Sequence, residues 1–456
     1  MHEAHIDCDV AIIGAGPAGT ALATHLARDK KRVVIFERES FPRFRIGESL
    51  LPLNLALFRE LGVEDELERR FIRKYAANFS NDDGTKQSRF PFANALNKEF
   101  PYCYEVERAE LDQVLLDNAT GHGAEVRMGY TVREGIEEGG RVVGLVAVKN
   151  DGSERVTVRC KVVADCSGRA AFFGSRLGLK RDVQLETRTS FFSHFENVAR
   201  DPGDREGDIQ IVAFEHGWFW MIPFKGNTTS VGMVVTDSYL AKRKQLQLGR
   251  PEERGQHDES TAAVAGAAAE INDAFLAATI AQTPYVRERL KHATQKFPAR
   301  TIANFSYVMD RYATDGAVFV GDAGAFLDPV FSSGVFLTMK SAQLVAEDLR
   351  DAFANNDFSA SRFARYEKRI RGAQAIFLKF IKGWYDPAFV DLFFAPRNFL
   401  GLKTAITSVL AADLFDPRHL WRLKLRIRLL FALANLHRRT LRRSHGGRSL
   451  VQKMAV

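Results

Sequence analysis

The chain has 456 residues, of which 46% are apolar and 26% are charged. This composition is typical of a globular protein of two or three domains, and it excludes a disordered chain and a small disulfide-bonded scaffold. The net charge is +8, but eleven Lys and Arg and no Asp or Glu lie between Pro417 and Val456. Residues 1–416 therefore hold 53 basic and 56 acidic groups, a net charge of −3, so we expect no nucleic-acid partner.

The cysteines and the N-terminus indicate where the protein resides. The four cysteines have neither the spacing of a metal site nor the density of a disulfide framework. The first residues lack the basic and apolar regions of a secretory signal, and no run of about 18 uncharged apolar residues could span a membrane. The sequence therefore predicts a cytoplasmic protein without a metal.

The chain begins with the pattern of a dinucleotide-binding unit. Residues 9–13 form an apolar strand, residues 20–27 follow a helical pattern, and residues 32–36 form a second strand. The turn after the first strand contains Gly14, Gly16, Pro17 and Gly19. Glycines at this spacing permit a tight turn, a close approach of the backbone to a pyrophosphate, and close packing of helix on strand, while Glu37 can bind a ribose. NAD and FAD share this fingerprint, so the pattern does not choose between them.

A second junction between a strand and a helix lies far downstream. Residues 316–320 form a buried strand that leads to Asp322, and a long helical pattern begins near Val335. An Asp at the end of a strand can accept hydrogen bonds from the ribityl hydroxyls of a flavin, and a helix N-terminus can stabilise negative charge on the reduced ring. Alternatively, Asp322 only caps a turn. Together with the first fingerprint, this junction favours FAD.

These residues resemble the FAD-dependent oxidoreductases with a hydroxylase-like fold and, among them, the flavin-dependent halogenases. The shared motifs are GAGPAG at 14–19, RIGES at 45–49, VERAELD at 106–112, DCSGR at 165–169 and Asp322. Two further motifs narrow the resemblance. WFWMIP at 218–223 matches the WxWxIP signature of halogenases. Two alternatives remain, because prenyl reductases have a similar segment and a plain apolar core strand would show the same pattern. FLDPVFSSG at 326–334 matches their FxxPxxSxG signature.

The resemblance implies an α/β fold with an α+β second layer. It consists of a Rossmann-like, hydroxylase-type FAD-binding domain, a substrate domain with an antiparallel sheet, and a helical C-terminal region. Residues 1–74, 106–180 and 300–345 are expected to form the discontinuous FAD-binding domain, and 75–105 and 181–299 the substrate-binding sheet domain. Residues 346–416 are expected to form a helical lid, for which plain helical core is an equal alternative, and 417–456 a basic amphipathic tail.

The resemblance also implies an FADH2-dependent halogenase of secondary metabolism. Reduced FAD and O2 give a C4a-hydroperoxide that oxidises chloride or bromide to hypohalous acid, and Lys74 delivers this oxidant to an electron-rich aromatic substrate. The halide would bind near the backbone N–H groups of Ser333 and Gly334, and Trp218 and Trp220 would separate the substrate from the flavin. Judged alone, Lys74 is one cation among several and could be a solvated charge. The residues expected to bind FAD are Gly14, Gly16, Pro17, Gly19, Glu37, Arg45, Ile46, Arg108, Asp322 and Val335.

Two departures separate the chain from the members that act on free tryptophan. Phe331 stands where those members have an acidic residue, and the first turn reads GAGPAG rather than GGGTAG. The chain looks more like members that act on pyrroles, phenols or aromatic acyl groups, either free or tethered to an acyl or peptidyl carrier protein. No second glycine-rich fingerprint is present, which fits a separate flavin reductase as the source of FADH2. The alternative is a flavin monooxygenase or prenyl-type reductase of the same fold without halogenating activity.

The C-terminal segment combines an apolar stripe with basic faces. Its apolar residues recur every three or four positions at Leu420, Leu423, Ile427, Leu430 and Ala434, which predicts an amphipathic helix. Three interpretations remain open: a helix packed on the fold with a solvated basic face, a dock for an acidic carrier protein, and peripheral attachment to a membrane surface.

Overall fold

The computed structural model describes residues 2–183, 185–241, 261–303, 306–395 and 398–444. Its strands, numbered in chain order, are β1 His2–Asp7, β2 Val10–Ile13, β3 Val33–Glu37, β4 Ile72–Lys74, β5 Ala76–Asn81, β6 Gln87–Pro91, β7 Cys103–Glu105, β8 Glu125–Met128, β9 Tyr130–Glu138, β10 Arg141–Lys149, β11 Glu154–Arg159, β12 Val162–Asp165, β13 Lys180–Asp182, β14 Arg188–Glu196, β15 Ile209–Phe214, β16 Gly217–Pro223, β17 Thr228–Thr236, β18 Thr294–Gln295, β19 Arg300–Ala303, β20 Tyr307–Met309, β21 Ala313–Thr314, β22 Ala317–Phe319 and β23 Ala325–Phe326.

The α-helices are numbered in the same way. They are α1 Pro17–Arg28, α2 Asn54–Leu61, α3 Glu64–Arg70, α4 Arg108–Gly121, α5 Phe172–Arg176, α6 Thr261–Gln282, α7 Pro284–Arg289, α8 Gly334–Asn355, α9 Ala364–Trp384, α10 Pro387–Phe393, α11 Leu402–Leu410 and α12 Pro417–Ser444. Among the described residues, no helix is both long enough and apolar enough to cross a bilayer.

The chain forms two compact units, each built from three separate segments. The first unit comprises Met1–Arg70, Val106–Val183 and Ser306–Leu378. The second unit comprises Phe71–Glu105, Gln184–Phe305 and Lys379–Val456.

The first unit is organised around a six-stranded sheet in the order β21-β22-β12-β2-β3-β8. Its strand pairs are parallel apart from the antiparallel pair β21–β22. Every residue of β2 and β3 is buried, as expected for a parallel sheet covered on both faces. Ile13 lies opposite both Phe36 and Asp165, so β2, β3 and β12 end at the same level. Ligands of such sheets bind at this carboxyl edge, and the predicted Rossmann-like fold is confirmed.

A four-stranded sheet in the order β1-β11-β10-β9 completes the layers of the first unit. One apolar core includes side chains of both sheets, among them Phe36 from the six-stranded sheet and Leu145 and Val156 from the four-stranded sheet. A short sheet of β13, β20 and β23 belongs to the same unit.

The second unit contains a large sheet in the order β18-β14-β17-β16-β15-β5-β6, with β19 also paired to β14. Its pairs are antiparallel except for the parallel pair β15–β5. Phe219 and Met233 from the central strands pack in one core with Phe275 from α6. A separate two-stranded antiparallel ribbon joins β4 to β7.

The C-terminal helices of the second unit pack around aromatic rings. The Phe389 and Phe431 rings stack with their centroids 5.0 Å apart, which joins α10 to α12. Arg438 of α12 forms an ion pair with Asp386, and His437 lies 3.1 Å from Asp391. Residues 445–456 of the tail lie outside the described residues.

Candidate functional site

The glycine-rich turn leaves open space above its second glycine. A Cβ on Gly14, whose φ is +98°, would lie 2.6 Å from the Cys166 carbonyl oxygen, so only glycine fits there. A Cβ on Gly19 would overlap the Gly14 carbonyl oxygen, and the missing side chain lets α1 start tight against the strand. Above Gly16 the first neighbour is the Arg43 guanidinium at 3.6 Å. Pro17 begins α1 directly after Gly16, and the first N–H groups of a helix have no partner within the helix. This cradle fits the pyrophosphate of a dinucleotide.

The acidic residue of the fingerprint lies beside that turn. Glu37 is buried at the end of β3, and its carboxylate accepts hydrogen bonds from the backbone N–H groups of Ala15 at 2.8 Å and Glu39 at 2.9 Å. A carboxylate has about four acceptor positions, so two remain for ribose hydroxyls. Arg43 lies 4.0 Å from Glu37 and donates to Asp112 at 2.8 Å. Arg43 and Asp112 were not among the residues predicted to bind FAD.

Several predicted flavin-binding residues meet around Arg108 at the start of α4. Its guanidinium donates two hydrogen bonds to Asp112, at 2.8 and 3.1 Å, and one to the Ile46 carbonyl oxygen at 2.9 Å. A Cβ on Gly47 would lie 3.0 Å from Arg108 and 3.7 Å from Val335, so these groups converge.

Arg45 lies at the edge of this group and pairs with Glu39. Burial alone raises the pKa of Glu39, but the hydrogen bond and charge of Arg45 outweigh it, and the net pKa is lowered. The side chain of Arg45 therefore has a partner within the first unit.

Asp322 follows β22 and lies partly buried near the start of α8. Its Oδ1 accepts a hydrogen bond from Thr338 at 3.2 Å, and its backbone carbonyl accepts one from Tyr307 at 2.7 Å. Burial raises the pKa of Asp322 to about 6, although Thr338, Arg108 and Arg169 lower it. Because its folded pKa is raised, this group favours folding at low pH, and that contribution is lost as the pH rises through about 6. Ionised Asp322 would accept hydrogen bonds from ribityl hydroxyls.

The predicted halide residues form the start of α8, a 22-residue helix. Ser333 is its N-cap residue and is buried, whereas Gly334 is exposed and a Cβ there would meet nothing within 4 Å. Ser332 adopts a left-handed φ of +54° immediately before the helix. The unsatisfied N–H groups and positive dipole of such an N-terminus attract a small anion.

In the second unit, Lys74 is a fully buried cation. Its side chain is 1% exposed, and its Nζ lies 3.9 Å from the Glu105 carboxylate, which is 0% exposed. The same Nζ lies 5.4 Å from the centre of the Phe92 ring. A solvated surface lysine is therefore excluded. The ribbon supports this placement, because β4 and β7 place Lys74 opposite Cys103.

Both predicted tryptophans are buried on the same face of β16, since residues two apart in a strand share a face. Their ring centroids are 5.9 Å apart. Trp218 donates to the Tyr385 hydroxyl at 3.1 Å, and Trp220 donates to Ser230 at 3.2 Å. The guanidinium of Arg188 lies 3.7 Å above the centre of the Tyr385 ring. The indoles are therefore held rigidly by hydrogen bonds and packing.

The structure thus groups the predicted residues within each unit. The glycine turn, Glu37, the Arg108 group, Asp322 and the start of α8 belong to the first unit, and Lys74, Trp218 and Trp220 belong to the second. Sequence reasoning missed two partners in the second unit, Glu105 and Tyr385. An acidic residue in an otherwise buried strand was a usable signal for Glu105, whereas Tyr385 lies 167 residues from Trp218 and had no local signal.

Comparison with known proteins agrees with this geometry. The family model described as tryptophan halogenase matches residues 9–97 and 82–389. The chain is 28% identical to a 1H-pyrrole-2-carbonyl-[peptidyl-carrier protein] chlorinase from Pseudomonas fluorescens, covering 91% of this chain and 96% of the relative. It is 29% identical to the corresponding brominase from Pseudoalteromonas luteoviolacea, covering 84% and 86%.

A solved structure supports the same family assignment. The myxobacterial chondrochloren halogenase, a variant of the FAD-dependent halogenases, superposes with a TM-score of 0.74 at 31% identity, covering 84% of this chain and 83% of that structure. The chain therefore belongs to the tryptophan halogenase family and is an FAD-dependent enzyme of the flavin-dependent halogenases, which use halide and O2.

Proposed function

We propose that Lys74 is the residue through which this halogenase delivers hypohalous acid to an electron-rich aromatic group. The burial of Lys74 against Glu105 and Phe92 carries this proposal. Placing an ammonium group in an apolar interior is costly, and a catalytic role explains why the chain retains it.

In this proposal, the cofactor and the halide bind at separate places in the first unit. The cradle above Gly16, with Glu37, would hold the nucleotide part of FAD, and Arg108, Asp322 and Val335 would lie along its flavin part. Bound FADH2 supplies, with O2, the oxidising power that converts halide to hypohalous acid. The N–H groups at Ser333 and Gly334 would hold the chloride or bromide before it is oxidised.

Lys74 then holds the oxidant as a hydrogen-bond donor or captures it as an N-halo amine. Glu105 would position Nζ and accept a proton from the ammonium group. Trp218, which is fixed by Tyr385, and Trp220 would form the apolar wall that keeps the substrate from the flavin. This restricts transfer to the halogen and excludes transfer of oxygen.

We further propose that the aromatic group is an acyl unit tethered to a carrier protein. Two relatives named for pyrrole-carrier-protein substrates support this substrate class. The outer face of α12 offers a dock, because Arg422, Lys424, Arg428 and Arg439 are exposed. The helix contains no Asp or Glu, so it complements an acidic carrier protein.

Mass spectrometry of products tests the proposal. The enzyme is incubated with FAD, a separate flavin reductase, NADH and bromide or chloride, and with pyrrole, phenol or aromatic acyl substrates offered both free and on a carrier protein. We expect a halogen isotope pattern on the tethered substrate. An oxygenated product without halogen would instead favour the monooxygenase alternative, and a product only from free substrates would contradict carrier docking.

A variant pair tests the lysine. Lys74→Met removes the ammonium group 3.9 Å from the buried Glu105 carboxylate, so loss of activity could reflect loss of folding. The double variant Lys74→Met/Glu105→Met removes both charges and restores an apolar interior. We expect this folded, FAD-binding double variant to form no halogenated product, and halogenation at the parent rate would overturn the role of Lys74.

The source of FADH2 is tested separately. The FAD-loaded enzyme is mixed anaerobically with NADH or NADPH in the absence of a flavin reductase. We expect the oxidised flavin absorbance to persist and to bleach only when a reductase is added. Rapid bleaching without a reductase would show that the chain reduces its own flavin.

A further inference from the structure

Lys74, Cys103 and Glu105 share one buried face of the β4–β7 ribbon. Lys74 and Cys103 are direct partners across the two strands, and Glu105 lies two residues after Cys103 on the same side. The three side chains are 1%, 0% and 0% exposed. A thiol therefore lies beside the amine that, in the proposed function, carries an oxidising halogen.

The strand register places these two side chains within reach of a covalent bond. The Cβ atoms of directly opposed residues in an antiparallel pair are about 4.5–5.5 Å apart. The lysine stem has four methylenes and can fold back over this distance to its strand partner. The charge of Lys74 also acts on the thiol, since burial raises the pKa of Cys103 to about 12 while Lys74 lowers it. Cys103 therefore remains a neutral thiol at neutral pH. A neutral thiol is a weak nucleophile, so Cys103 reacts only with a strong electrophile formed beside it.

We propose that Cys103 intercepts oxidised Lys74 when no aromatic substrate is present, forming a reversible sulfenamide bond between Lys74 Nζ and Cys103 Sγ. This inference rests on the proposed role of Lys74. Formation of this bond would consume the oxidised lysine before it reacts with neighbouring aromatic residues. The enzyme would then stay inactive until a thiol reductant cleaves the bond.

The chemistry balances in two steps. The Lys74 amine reacts with hypohalous acid, its N–H bond is replaced by N–X, and water leaves. The Cys103 sulfur then attacks this nitrogen, an S–N bond forms, the N–X bond breaks, and halide leaves with the thiol proton. Sulfur loses two electrons and the halogen gains them. A thiol reductant reverses the process by cleaving the S–N bond, which regenerates the amine and the Cys103 thiol and leaves the reductant as a disulfide.

The other cysteines provide an internal control. Cys8, Cys160 and Cys166 belong to the first unit, whereas Cys103 belongs to the second. Cys8 and Cys160 are only partly buried. Oxidant that leaked into solution would modify these accessible thiols before it reached a fully buried one. Selective loss of the Cys103 thiol therefore indicates transfer from Lys74.

The experiment uses the wild-type holoenzyme with FAD, a flavin reductase, NADH, air and bromide, without aromatic substrate and with catalase to remove stray peroxide. The protein is digested without reductant and analysed by mass spectrometry. We expect a linked pair of peptides containing Lys74 and Cys103, lighter than their sum by two hydrogen atoms. The link should be absent without halide, absent in Cys103→Ser, suppressed by aromatic substrate, and cleaved by dithiothreitol.

The outcomes separate this inference from the proposed function. If halogenation requires Lys74 but the wild type forms no link and keeps a free Cys103 thiol, the inference is wrong and the role of Lys74 stands. If Cys103 is oxygenated but not bonded to Lys74, the inference is likewise wrong and the role of Lys74 stands. If the double variant lacking Lys74 halogenates substrate at the parent rate, the proposed function fails and the inference falls with it.

Discussion

The charge pair between Lys74 and Glu105 should govern the stability of the second unit. Unit charges 3.9 Å apart interact by roughly 4 kcal/mol at an effective dielectric constant of about 20. Removing one partner of such a buried pair typically costs about 3–5 kcal/mol, because the other buried charge loses a close counterion. We therefore expect Lys74→Met and Glu105→Met each to lose about 3–5 kcal/mol of unfolding free energy. The double variant should lie within about 2 kcal/mol of the parent, since two apolar side chains replace two charges.

Tryptophan fluorescence can measure the unfolding free energy of the parent, the two single variants and the double variant, because it reports on the unit that contains the pair. The chain has four tryptophans, and all lie in the second unit: Trp218, Trp220, Trp384 and Trp421. Urea unfolding followed by their emission therefore reports on the unit that contains the pair. If the losses in the single variants simply add in the double variant, the two charges are not coupled and do not form a stabilising pair.

Three further predictions concern the cofactor site and α12. Burial raises the pKa of Asp322 to about 6, so FAD affinity should fall up to about tenfold between pH 7 and pH 5, as measured by flavin fluorescence quenching. Gly19→Ala should reduce FAD affinity by at least about tenfold in the same titration, because its Cβ would overlap the Gly14 carbonyl oxygen. Arg428→Glu/Arg439→Glu should reduce kcat/KM for a carrier-bound substrate about tenfold at low salt and less at high salt, with turnover of a free substrate unchanged.

Each of these has a matched control. Asp322→Asn cannot ionise, so its FAD affinity should not change over this pH range, and a wild-type affinity independent of pH would contradict the prediction. Gly372→Ala adds a methyl group in α9 of the same unit where nothing lies within 4 Å, and it should bind FAD normally. Lys291→Glu reverses an exposed charge of the second unit outside α12. If Lys291→Glu lowers kcat/KM for the carrier-bound substrate as much as the α12 variant does, α12 is not the docking face.

The elements around the nucleotide turn could be predicted because their requirements are local. The strand expected over 9–13 is observed as Val10–Ile13, and the helix expected to begin near Val335 begins at Gly334. An apolar run, a glycine turn and an N-terminal proline each restrict a few neighbouring residues. Such restrictions can be recognised without knowledge of the tertiary fold.

The partners of the candidate catalytic residues could not be predicted in the same way. Lys74 contacts Glu105 through the pairing of two short strands, and no periodicity in the sequence specifies which distant strand pairs with which. Trp218 binds a tyrosine that follows α9, far along the chain. The family resemblance identified the lysine and the indoles, but burial and tertiary register decide what surrounds them.

The division of the first unit into three segments has a consequence for synthesis. Strand β22 pairs with β12 in the middle of the parallel sheet, but it is translated about 150 residues later. At about 5–20 residues per second, the ribosome needs roughly 8–30 s to produce it. During that interval one edge of β12, an entirely apolar strand apart from its last residue, lacks its partner and can pair with other chains. We therefore expect the yield of folded enzyme to depend on chaperones that cover this edge on the nascent chain.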